Sequence, residues 1–122
     1  MELKQYFEDL KGVGVLATAD DKGVVDVALY AKPFIIDEKT VALIMLKKLN
    51  YLNLQANPYA AYIFVDEKYQ GKRLYLKKIK EENDQDKINP LLKHKYNDEE
   101  TLKKDKALVY FELVKELPII MK

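Results

Sequence analysis

The chain has 122 residues, of which 48% are hydrophobic and 34% are charged, with 21 lysines and arginines against 20 acidic residues. It contains no cysteine, no serine and one histidine, which excludes disulfides, thiolate chemistry, Ser-His-Asp catalysis and a paired-histidine zinc site. A net charge of +1 provides no overall attraction to nucleic acid or to a membrane surface.

The length predicts one domain, residues 1–122, large enough to bury a core without a covalent crosslink. The charged first turns, "MELKQYFEDLKGVG", do not have the apolar segment of a signal peptide, and no stretch reaches the length of a membrane span. With no cysteine, a cytoplasmic location is expected.

The first third of the chain predicts a short helix and two extended segments. Leu3, Tyr6, Phe7 and Leu10 have helical spacing, and Gly12 is expected to end this helix in the left-handed conformation. "VGVLATAD" is β-branched and apolar, and the turn "DDKG" links it to "VVDVALYAKPFII", which is interrupted by Pro33.

The middle of the chain predicts a buried strand followed directly by a helix. "VALIMLKK" is almost continuously apolar, so we expect it to be covered on both faces and central in the sheet. From Lys48 the spacing of Leu49, Leu52 and Ala56 predicts a short helix packed on the sheet and ended by Asn57 and Pro58.

The rest of the chain predicts three more strands and one charged helix. "YAAYIFVDE" and "KRLYLKKIKEE" are strands, the second with one wet face, and "ALVYFELVKELPII" is the last strand. The charged segment before this last strand suits one amphipathic surface helix, with apolar positions at Ile88, Leu91, Leu92 and Tyr96. The short links favour a small, mainly β antiparallel barrel over a doubly wound α/β fold.

Several segments together resemble a known family. "GVLATAD" entering a hairpin, "DVALYAKP" returning from it, and a strand followed by "NLQANPYAAYIF" resemble the pyridoxamine 5'-phosphate oxidase-like FMN-binding split-barrel proteins. The resemblance implies a six-stranded antiparallel split barrel with short helices. It also implies a homodimer that holds two FMN molecules at its interface. The expected function is that of a flavin-dependent oxidoreductase whose small-molecule substrate the sequence does not identify.

The resemblance also implies a set of cofactor-binding residues. The segment from Val27 to Lys32 would line the flavin, with Tyr30 as its aromatic contact, and Met45 and Leu46 would lie against the ring system. Cationic and amide side chains at the start of the following helix would face the phosphate, where a helix start favours an anion. The expected cofactor-binding residues are Ala28, Leu29, Tyr30, Ala31, Met45, Leu46, Lys47, Lys48, Asn50 and Asn53.

Other interpretations of the same residues remain open. Relatives commonly carry a threonine beside a lysine or histidine where this chain has Asn50 and Tyr51, so a dimer that has lost FMN and serves in binding or structure is the alternative. A vitamin B6 oxidase is not expected, because Arg73 is the only arginine available for a second phosphate. Nucleic-acid binding through "KRLYLKKIK" is the weakest alternative, and His94, Asp26 and Asp66 are assigned no role.

Overall fold

The computed structural model describes residues 3–8, 10–92 and 99–119, which form seven strands and four short helices. The helices are α1 (Leu3–Glu8), α2 (Leu49–Ala56), α3 (Gln85–Leu92) and α4 (Glu99–Lys103). The strands are β1 (Gly12–Ala19), β2 (Val25–Tyr30), β3 (Phe34–Asp37), β4 (Thr40–Leu46), β5 (Tyr59–Asp66), β6 (Gly71–Glu82) and β7 (Lys106–Pro118). The prediction of a mainly β fold with short helices is confirmed.

The strand count differs from the six that the resemblance implies. All seven strands form one antiparallel sheet in the order β2-β1-β5-β6-β7-β4-β3. The extra strand arises at Pro33, because proline has no N–H for a sheet ladder and the extended segment divides there into β2 and β3.

The two edge strands of this sheet are consecutive in the chain. Residues 31–33 are their only link, and four Cα–Cα steps span at most about 15 Å. The sheet must therefore curve until β2 comes close to β3 and β4, as in a barrel. No pairing joins β2 to β3 or β4 among the described residues, so the barrel has an open seam.

Strand β4 is covered on both faces, as predicted, but it is not central. Val41, Leu43 and Met45 belong to the main core inside the curved sheet. On the other face, Ala42 packs in a second cluster with Ile88 of α3. In the sheet order β4 is next to the edge strand β3, and the second cover comes from a helix rather than from further strands.

Two further expectations are corrected. Gly12 does not end a helix: it begins β1, where it pairs with Asp66, and a Cβ there would overlap with the backbone of Val65. The charged segment contains two helices, α3 and α4, where one was expected; Ile88 and Leu92 are buried as predicted, whereas His94 and Tyr96 lie outside the described residues.

The described helices include none that is both long enough and apolar enough to span a membrane.

Candidate functional site: a cleft at the barrel seam

The open seam of the barrel contains a cleft of about 540 Å³, within the range of small-molecule sites. On one side lies β2, whose only pairing partner among the described residues is β1. On the other lies the end of β4, from Leu43 to Leu46, which pairs with β7 but extends beyond its pairing with β3. The described part of the chain therefore leaves strand edges on both sides of the cleft, with backbone groups available to a ligand.

The start of α2 forms part of the cleft wall, and this helix is oriented opposite to the prediction. Leu49 and Leu52 are 55% and 58% exposed, whereas Asn50 and Asn53 are buried. Burying two amides is favourable only if they are hydrogen-bonded. The partner that makes this possible is Thr18, which lies on β1 and is itself buried.

Three side chains form a short polar network beneath the cleft. The Thr18 hydroxyl donates to Oδ1 of Asn50, and Nδ2 of Asn53 donates to Oγ1 of Thr18 at 3.0 Å. Because Oδ1 of Asn50 accepts from Thr18, its Nδ2 is left as a donor. Asn50 is only 4% exposed and lines the cleft, and its Nδ2 has no partner among the described residues. A buried amide donor of this kind requires an acceptor from a ligand or from water.

The same end of the cleft is electropositive. Lys48 precedes α2 as its N-cap residue, is exposed, lines the cleft, and makes no side-chain capping bond. The first turn of α2 contains no acidic residue. The N–H groups at a helix start have no partner within the helix and favour an anion.

The opposite wall carries a tyrosine and a carboxylate. Asp26, Ala28 and Tyr30 occupy alternate positions on β2 and line the cleft. Burial, together with the negative charge of Asp26, raises the pKa of Tyr30 to about 12. Tyr30 is therefore a phenol at neutral pH and can donate a hydrogen bond. The sequence pattern could have indicated Asp26, because it shares its strand face with Tyr30.

Sequence reasoning also missed Lys106, the first residue of β7. It lines the cleft and is fully buried. Burial lowers the pKa of its ammonium, and the nearby charge of Asp105 opposes that shift. No local signal in "KKDKALVY" distinguishes this lysine from its exposed neighbours.

The structure brings most of the predicted residues together. Those that line the cleft are Ala28, Leu29, Tyr30, Ala31, Leu46, Lys48 and Asn50. The others do not: Met45 is fully buried in the main core, and Asn53 contacts Thr18 beneath the cleft. Lys47 forms an ion pair with Asp105 at 3.2 Å and lies 5.7 Å from the ring centre of Tyr51.

The fold is shared by solved structures of low sequence identity. An FMN-binding protein from Syntrophomonas wolfei superposes with a TM-score of 0.73 at 20% identity, over 89% of this chain and 78% of its own. A candidate pyridoxamine 5'-phosphate oxidase from Lactobacillus delbrueckii gives 0.69 at 16% identity, over 93% and 88%. An F420 reductase gives 0.70 at 17% identity, over 93% and 94%.

These likenesses confirm the fold expected from the sequence resemblance: the chain has the split-barrel fold of FMN-binding and pyridoxamine 5'-phosphate oxidase-like proteins. No protein-family model and no curated protein matches the sequence. At these identities the shared fold does not carry a reaction or a substrate with it.

Proposed function

We propose that this chain is an FMN-binding protein in which the seam cleft holds the cofactor between β2 and β4. Bound FMN supplies redox chemistry, and the protein supplies its position and electrostatic surroundings. The substrate is a small molecule of undetermined identity. An oxidoreductase activity is the functional consequence of this proposal.

The observation that carries the proposal is the buried Nδ2 donor of Asn50, which has no hydrogen-bond partner among the residues that the structure describes. It stands at the start of α2 beside Lys48, where the helix end and a lysine also favour a negative group. A phosphate offers several strong acceptor oxygens and fits this donor set. Asp26 opposes an anion on the β2 side, so the fit favours a phosphate close to α2 and β4.

The other walls fit the remainder of the cofactor. The ends of β2 and β4 offer backbone groups together with apolar side chains such as Leu29 and Leu46. The protonated Tyr30 can donate to a polar edge of a ring or a hydroxyl of a linker. The chain therefore provides a polar end and a largely apolar body, as small-molecule sites commonly do.

We also propose that the protein works as a homodimer. Val25, Val27 and Leu29 of β2 project outward and are exposed, and two of them also line the cleft. A second copy that covered this face would complete one side of the cleft. Leu49 of α2, which also lines the cleft, and Leu52 are exposed apolar residues as well.

The direct test is titration of the flavin-free protein with FMN, followed by flavin absorbance and fluorescence. We expect saturable binding of one FMN per chain. Because one fold neighbour is an F420 reductase, the titration is repeated with F420, and tighter binding of F420 would replace FMN as the proposed cofactor. A folded protein that binds neither would favour a binding or structural role without flavin.

Two substitutions separate ligand binding from folding. Asn50→Leu removes the amide donor that lines the cleft. We expect it to lower the affinity for FMN about tenfold, as for one lost hydrogen bond. Asn53→Leu is the matched control, because Asn53 belongs to the same Thr18 network but does not line the cleft. Equal effects of both substitutions on FMN affinity would contradict the assignment of Asn50 to the ligand.

A further inference from the structure

A second cation lies close to the start of α2, on the neighbouring strand. Lys106 of β7 is opposite Leu46 of β4, two residues before Lys48. Directly opposed residues of an antiparallel pair project from the same face of a sheet. Leu46, Lys48 and Lys106 all line the cleft, so two lysines flank the same end of it.

The ammonium of Lys106 is held by carbonyl groups. Its Nζ donates to the carbonyl oxygens of Leu102 at 3.1 Å and Lys104 at 2.9 Å, and an ammonium has three donors. No carboxylate forms an ion pair with Lys106 in the described ranges 3–8, 10–92 and 99–119, and the neighbouring Asp105 is paired with Lys47. Lys106 is thus a fully buried cation that forms no ion pair among these residues, and the charge of Asp105 acts on it only from beyond ion-pair distance.

Burying a charge that has no ion-pair partner is unfavourable, and the two carbonyl bonds and the more distant Asp105 offset only part of that cost. An anion in the cleft would offset more of it. The interaction between two charges grows as the local dielectric constant falls, so a buried lysine acts on a nearby anion more strongly than an exposed one. Salt screens the exposed Lys48 but has much less effect on a buried group.

We propose that Lys106 is a positioning residue whose buried charge sets the place of the ligand's anionic group, at the α2 end of the cleft and away from Asp26. The inference rests on the proposed function in that the anionic group is taken to be the phosphate of FMN. Lys106 acts through the electrostatic potential in the cleft and does not need to contact the phosphate directly. Its two carbonyl bonds also tie β7 to the end of α4.

The test compares FMN with riboflavin, which has the same ring system and no phosphate. In Lys106→Met we expect FMN to bind about ten- to a hundredfold more weakly, as for loss of one charged partner, with riboflavin changed less than about threefold. Lys104→Met is the matched control, because it removes an exposed charge two residues away and should leave both affinities nearly unchanged. Lys106→Arg retains the charge and should retain most of the preference for FMN.

Salt dependence separates the two lysines of the cleft. The effect of Lys48→Ala on FMN affinity should fade as salt rises to about 0.5 M, whereas the effect of Lys106→Met should persist. If Lys106→Met lowers the affinities for FMN and for riboflavin equally, the residue has only a structural role and the inference is overturned. The proposal that the protein binds FMN would still stand.

A measurement on the unmodified protein covers the case in which Lys106→Met does not fold. The ammonium of Lys106 is followed by NMR in selectively labelled protein, with its signal assigned by its loss in Lys106→Arg. Addition of FMN, or of inorganic pyrophosphate, should raise its pKa, because a nearby anion favours the charged form. No shift with either would overturn the inference. If pyrophosphate raises the pKa of Lys106 in a protein that does not bind FMN, the positioning role of Lys106 is supported and FMN is refuted as the cofactor.

Discussion

Gly14 of β1 lies between the side-chain hydroxyl of Tyr62 on β5 and the backbone carbonyl of Tyr30 on β2. The Tyr62 hydroxyl donates to the carbonyl oxygen of Ala31 at 3.0 Å, and burial raises the pKa of Tyr62, so the phenol stays protonated. A Cβ on Gly14 would overlap with this hydroxyl and would lie 2.5 Å from the carbonyl oxygen of Tyr30. The missing side chain therefore permits a hydrogen bond that holds the link between β2 and β3.

Gly14→Ala should consequently destabilise the protein. Overpacking of a buried site costs about 1–3 kcal/mol, and we expect a loss of this size in the free energy of unfolding, measured with urea. The same substitution in a Tyr62→Phe background should cost less, since the hydroxyl is then absent and only part of the overlap remains. An equal cost in both backgrounds would mean that the Tyr62 hydroxyl is not the obstacle.

At the scale of elements, α2 is fixed to β6 by a group of charged and polar side chains. Glu81 accepts from the Tyr51 hydroxyl at 2.6 Å, from Lys78 at 2.5 Å and from Gln55 at 3.2 Å. Burial acts to raise the pKa of Glu81, but the hydrogen bonds from Lys78 and Tyr51 outweigh it and lower the pKa to about 2. The helix that carries Asn50 is therefore anchored from its outer side as well as through Thr18.

This anchor predicts a defined pH dependence of stability. Because the pKa of Glu81 is below its ordinary value of 4.5, its contribution is complete above about pH 4.5 and is lost as the pH falls towards 2. Glu81→Gln should lower the free energy of unfolding by about 1–3 kcal/mol at pH 7, and the difference should shrink as the pH approaches 2. Urea denaturation of both proteins across this range provides the measurement.

The exposed turn residue Glu38 provides the control, since Glu38→Gln removes the same charge away from α2. It should change the unfolding free energy little at any pH. A gap between wild-type protein and Glu81→Gln that is constant from pH 7 to pH 2 would show that the carboxylate of Glu81 does not stabilise α2 through its charge.

Local chemistry explains which elements the sequence could predict. Asp20 accepts hydrogen bonds from the backbone N–H groups of Lys22 and Val24, and Gly23 has a positive φ, so "DDKG" forms its turn without help from the rest of the fold. Pro33 likewise separates β2 from β3 by its own geometry. Such signals act within four or five residues, which is why strands and turns were largely predictable.

The inner face of α2 and the buried Lys106 depend on distant residues instead. The spacing of Leu49 and Leu52 predicts an apolar inner face, but Thr18, 32 residues before Asn50, stabilises the buried asparagines. Lys106 is buried because its ammonium meets carbonyls of the segment that ends α4. A one-dimensional pattern does not contain these contacts, and they distinguish the cleft from an ordinary strand end.

At the scale of the whole molecule, one face of the barrel is apolar, exposed along β2 and half-buried along β1 and β5. Val25, Val27 and Leu29 of β2 stand opposite Ala19, Ala17 and Val15 of β1, and the same face continues onto Ala61 and Ile63 of β5. By contrast, the outer face of the apolar β4 is covered by α3 of the same chain. The face of β1, β2 and β5 is therefore the surface that a partner would cover.

A contiguous apolar face of this kind on a chain with net charge +1 favours self-association through a two-fold interface, since there is little overall charge repulsion to oppose it. Light scattering at micromolar concentration should return twice the chain mass of 14.2 kDa.

Leu29 is 75% exposed and also lines the cleft, so Leu29→Lys should give a folded monomer that binds FMN more weakly. Val114→Lys, at an exposed apolar position on β7, should leave both the dimer and FMN affinity unchanged. A monomeric wild-type protein would contradict the dimer, and a monomeric Leu29→Lys that binds FMN as tightly as the wild type would show that one chain forms the whole site.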